Sequence, residues 1–269
     1  MQRTVICPFF RRAFGWSVPI GGLGGLIGLG GGEFRLPVLM HVVGFEAKSA
    51  VPLNLMISLV TLAFALLFRE GTISILSVMP YWPEILGLIA GGAISAAYGA
   101  RLVHGLTSRR LVQVIAFLLA AIGLLLLIEV VNPIDHVELL PPDPAIRLIV
   151  GSLLGLIIGL VSSMLGVAGG ELLIPALIFI VGVDIKEAGT ASILIALCLI
   201  TVGLYHYWRM GAIPRGGGIQ RIVLAMGLGS IIGAVIGSLA VGLAPAGFLK
   251  VFLACVLLAT ACKTIFSHH

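Results

Sequence analysis

The sequence predicts an all-α polytopic membrane protein of two inverted-topology repeats, each a glycine-broken helical hairpin followed by three transmembrane helices. Three observations predict it. The chain is 59% apolar and only 10% charged, with a mean hydropathy of +1.20, outside the range of a water-soluble domain. The stretch GLGGGEFRLP at 28–37 returns as GVAGGELLIP at 166–175. Lys and Arg gather on one side of the bilayer if each half makes a net odd number of crossings.

Residues 1–14, with Arg3, Arg11 and Arg12, form a cytosolic tail; the apolar run behind them leads into glycines and a Glu without a small-residue cleavage site, unlike an export signal. The first membrane repeat covers 15–131. Within it, 17–47 is a hairpin of two short arms bent at the glycines, and helices follow near 50–68, 82–103 and 111–131. Residues 132–145, rich in Pro and acidic side chains, form an extracytoplasmic linker. The second repeat, 146–269, copies the first, and its charge-free runs fall at 148–170, 188–205 and 222–249. Most runs are long enough to cross about 30 Å of hydrocarbon as helices. They lack the alternation of a β-barrel strand, and 36 glycines suit close helix packing.

The repeat offset is 171 − 33 = 138. It pairs Gly31 with Gly169, Gly32 with Gly170, Glu33 with Glu171, Pro37 with Pro175 and Gly44 with Gly182. A hairpin returns the chain to its starting side, so three further helices give an odd number of crossings and opposite orientations for the halves. With both termini cytosolic, the inner positions hold Arg3, Arg11, Arg12, Lys48, Arg101, Arg109, Arg110, Arg209, Arg215, Arg221 and Lys263, most of the sixteen basic residues. Arg69, Arg147, Lys186 and Lys250 fall outside, and Arg35 is deep. The net charge of +5 is thereby a topology signal and calls for no nucleic-acid partner.

Gly30, Gly31 and Gly32, with Ala168, Gly169 and Gly170 opposite, allow backbone that side chains forbid. Pro37 and Pro175 suit the first turn of a half-helix. Its unpaired N–H groups would face a cavity at membrane depth, where a small anion satisfies them. Glu33 and Glu171 are either local partners of those amides or proton carriers, since an ionised carboxylate in the membrane is costly. Arg35 has no basic counterpart, position 173 being Leu173. It either neutralises Glu33 or presents its planar fork of donors to an anion. Asn54, Thr190 and Ser192 either cap the following helices or add donors to the same site; Ser162 and Ser163 rank below them. Tyr81, Trp82, Tyr207 and Trp208 fit interfacial anchors.

Cys7, Cys198, Cys255 and Cys262 form neither a CxxC pair nor a metal-ligand cluster. No GxSxG, HExxH or phosphate-loop motif occurs, so neither hydrolysis nor ATP use has support, and no enzyme activity, metal or cofactor is expected. The paired glycine-rich motifs, each followed by Pro and a short apolar arm in one half of a duplicated membrane protein, resemble the sulfite exporter TauE/SafE family. The resemblance implies secondary transport of sulfite, organosulfonates or related small organic anions across a bacterial inner membrane. Members often carry an apolar residue where this chain has Glu33 and Glu171. A passive anion channel stays open as an alternative. A membrane thiol-electron carrier is disfavoured, because Cys198 maps onto Val60 and leaves no symmetric cysteine pair. Partners are a small anion and the lipid bilayer, with a second copy of the chain left open.

Overall fold

The structure, a computed structural model, describes residues 3–102, 109–131, 141, 143–165, 167–214 and 216–266. Ten α-helices make up most of the described chain: α1 (Arg3–Ile27), α2 (Gly32–Pro37), α3 (Ala47–Arg69), α4 (Trp82–Leu102), α5 (Arg109–Val131), α6 (Pro144–Leu165), α7 (Gly170–Ala176), α8 (Ile185–Arg209), α9 (Gly217–Ala240) and α10 (Ala246–Phe266), with a 3-10 helix at Ile75–Tyr81 leading into α4. Long apolar spans cover Ser49–Arg69, Ile75–Ala96, Pro144–Ser163, Ile185–Arg209 and Gly218–Ala240, so the protein is membrane-embedded and multi-pass. The helices after each hairpin begin and end close to the sequence expectations. Two expectations need correction. Residues 3–14, expected as a tail, are the first turns of α1, so the first arm is one long helix. The charge-free run 222–249 is divided between α9 and α10, with Pro245 at the junction removing a backbone donor.

The 138-residue offset holds in the backbone. Gly31 and Gly169 open the short arms in the left-handed region, with φ 70° and 82°. The first helical bonds, from the N–H of Arg35 to Gly31 O and of Leu173 to Gly169 O, coincide under the offset. Each arm runs on into a π-helical turn, Val38–Val42 and Leu177–Val181. Each then stops at a left-handed glycine, Gly44 or Gly182, where the N–H of Phe45 reaches Leu39 O and that of Val183 reaches Leu177 O.

Helices pack across the halves in matched pairs. α1 lies on α9 and α4 on α6, and the offset exchanges these two pairs. Small residues bring the backbones together: a Cβ on Gly21 would strike Ser230, and one on Gly159 would strike Gly92, the same contact seen from each half. Among helices with no hydrophobic drive to associate in lipid, such close approach supplies dispersion contact. At the centre α3 and α8, equivalents under the offset, run antiparallel: Arg69 at the end of α3 meets Lys186 at the start of α8, while Leu55 faces Gly203.

Candidate functional site

Each arm begins before its proline. α2 starts at Gly32 and α7 at Gly170, so Pro37 and Pro175 stand at the sixth helical residue instead of in the first turn, and Leu36 is helical. A proline there removes one i→i−4 bond and crowds the carbonyl four residues back. The widening to a π-turn just beyond it accommodates that loss in both halves.

The two breaks touch. A Cβ on Gly170 would lie 2.8 Å from Leu29 Cα, and one on Gly32 would lie 3.4 Å from Val167 Cγ1. Ser192 Oγ, from α8, donates to Gly28 O at 2.9 Å, and Asn54 Nδ2, from α3, donates to Gly32 O at 3.1 Å. These side chains do not cap their helices. α3 and α8 open at Glu46 and Asp184, and Asn54, Thr190 and Ser192 lie further in, where they bond with the hairpins or with Arg69.

Arg35 is fully buried. Its Nη1 donates to Ser58 Oγ at 2.9 Å, and its Nη2 to Gly30 O, Thr61 Oγ1 and Ser230 Oγ at 3.1–3.3 Å. The expected pairing with Glu33 is absent: among the described residues the ion pair is Arg147 with Glu84, 3.0 Å apart, tying α6 to α4. Both carboxylate oxygens of Glu33 and one of Glu171 are enclosed without a hydrogen-bond partner among the described residues.

A second buried arginine escaped the sequence reading. Arg69, expected as an external topology charge, is fully buried. Its guanidinium holds Thr190 Oγ1 (2.9 Å), Gly25 O (2.9 Å), Leu26 O (3.1 Å) and Lys186 O (2.9 Å). It thus caps the last turn of α1 and clamps that turn to α8. Little in the sequence signals this, because REGTI at 69–73 matches RMGAI at 209–213 with a two-residue slip and pairs Arg69 with Arg209, another helix-end charge.

Beside the second break lies a small pocket of about 20 Å³, room for about one water. Gly159, Ser162 and Ser163 of α6, Val167 and Ala168 of the break, and Leu199, Ile200, Gly203 and Tyr207 of α8 line it, with Ala96 from α4 and Leu55 from α3. Tyr207, expected as an interfacial anchor, is instead buried on this wall. Arg35, Glu33 and Glu171 are not on the lining. The offset carries Ser162, Ala168, Leu199 and Tyr207 to Gly24, Gly30, Thr61 and Arg69. Of these, Gly30 and Thr61 are hydrogen-bond partners of Arg35.

Comparison with known proteins adds one finding. The family model of the sulfite exporter TauE/SafE matches residues 5–126 and 151–269, and the unmatched interval contains the expected linker. No curated protein and no solved structure matches the chain. Match over nearly the whole length, in two segments that coincide with the two halves, makes the chain a member of the sulfite exporter TauE/SafE family, a family of membrane transporters of sulfur anions.

Proposed function

We propose that the protein is a secondary transporter moving sulfite, organosulfonates or related small organic anions across the bacterial inner membrane by alternating access. The halves are inverted relative to each other, and both termini are cytosolic. One observation carries this: the breaks of both halves meet between the antiparallel α3 and α8, Gly170 against Leu29 and Gly32 against Val167. Irregular backbone and two helix starts at the meeting point of two repeats suit an anion site near the midplane. Gly30, Gly31, Gly32, Ala168, Gly169 and Gly170 form its floor, with Asn54, Thr190 and Ser192 holding the hairpins and Arg35 fixing the first arm. Glu33 and Glu171, enclosed at equivalent positions with unpartnered oxygens, serve as proton carriers that couple flux to the pH gradient.

The test is uptake of labelled sulfite into vesicles holding the purified protein, with a pH gradient imposed. The expected result is accumulation above equilibrium that a protonophore abolishes, and that Glu33→Gln with Glu171→Gln uncouples. Flux that only dissipates a sulfite gradient would mark a passive channel and reject the transporter.

A further inference from the structure

We propose that the pocket beside the second break is a further anion-binding pocket adjoining the meeting point of the two breaks, that Ser162 is its hydrogen-bond donor, and that it takes singly charged oxyanions in preference to doubly charged ones. The proposal rests on the transporter reading for its ligand class, but its location and selectivity come from the pocket alone.

Ser162 is buried, and its hydroxyl oxygen is enclosed without a partner among the described residues. An unsatisfied buried hydroxyl is costly, and a ligand oxygen relieves that cost. The hydroxyl stands over Gly169, where a Cβ would collide with it, so the glycine of the break leaves the room it occupies. Neighbouring Ser163 is already used: its hydroxyl donates to Leu160 O at 2.9 Å.

The remaining walls are mostly hydrocarbon, including Leu55, Val167, Ala168, Leu199 and Ile200, and among the described residues no charged side chain lines the pocket. A doubly charged anion entering it would lose its hydration shell without a counter-charge. A monoanion with an apolar face, such as an alkanesulfonate, loses less and packs its hydrocarbon on those walls. Leu55 is the contribution of α3; every other lining residue comes from α4, α6, the second break or α8. The pocket holds about one water as it stands, so a ligand enters when α3 draws Leu55 away from Gly203.

Detergent-purified protein would be titrated with sodium methanesulfonate and with sodium sulfate by thermal shift, and the same anions offered to protein in vesicles. Methanesulfonate should stabilise the wild type and sulfate should not. Ser162→Ala should weaken methanesulfonate binding roughly tenfold. Gly203→Val should abolish it, because a new Cβ there meets Leu55 Cδ1 at 3.9 Å and the added methyls fill the pocket; size-exclusion chromatography checks that the variant is folded. Thr201→Ala, whose exposed hydroxyl bonds Leu197 O, should bind as the wild type does. Wild-type binding of sulfate as tight as methanesulfonate, no methanesulfonate shift at all, or unchanged binding in both Ser162→Ala and Gly203→Val would each overturn the proposal. Binding lost in Gly203→Val while the wild type shows only downhill flux would uphold the pocket and reject the transporter.

Discussion

Position 35 in the first half holds an arginine and position 173 in the second a leucine, and their surroundings have diverged with them. Arg35 meets Ser58, Thr61 and Ser230; the offset places Ala196, Leu199 and Gly92 around Leu173. Arg69 clamps α1 to α8, whereas Tyr207, 138 residues on, lines a pocket. Two copies of one backbone plan thus divide the labour: the first half is pinned by buried cations and their acceptors, and the second keeps open space beside its break. A duplicated scaffold carries different side chains at equivalent positions of its two breaks.

Exchanging the two environments should have unequal consequences. Leu173→Arg brings a charge among residues without hydroxyls, and an uncompensated buried charge costs about 3–5 kcal/mol; little monodisperse protein should survive size-exclusion chromatography in detergent. Arg69→Leu strands the carbonyls of Gly25 and Leu26, while Lys186 O keeps the hydroxyl of Thr190; the cost of about 3 kcal/mol is read as a large fall in melting temperature. Arg69→Lys should recover only part of it, since an ammonium lacks the planar fork. Gly21→Ala and Gly159→Ala press a methyl on the backbone across equivalent contacts; each should cost about 2 kcal/mol, and a clear inequality between their melting temperatures would break the symmetry. Arg35→Leu should have the smallest effect, about 1 kcal/mol, because an apolar side chain replaces a buried cation and Thr61 already donates to Ile57 O.

The hairpins were legible at their glycines and blurred at their prolines. Gly31, Gly169, Gly44 and Gly182 hold left-handed backbone, a property of single residues that sequence displays directly. Pro37 and Pro175 look like helix starts, yet the helix begins at the preceding glycine and absorbs the proline as a π-turn. Local preference for the first turn was outweighed by the position of the break, which packing against the opposite hairpin sets. Arg69 was misread for a related reason: at the end of an apolar helix it resembles any flanking charge, and its acceptors come from α1 and α8.

By itself, the sequence determined that the chain lies in a bilayer, where its helices fall, and that its plan occurs twice. Those properties follow from hydrocarbon length, backbone self-sufficiency in lipid and glycine conformation, all local in the chain. Only the tertiary structure decided how the buried arginines are held, because that depends on groups such as Arg35 and Ser230, 195 residues apart. Side chains so distant compete for one volume only after the helices have packed.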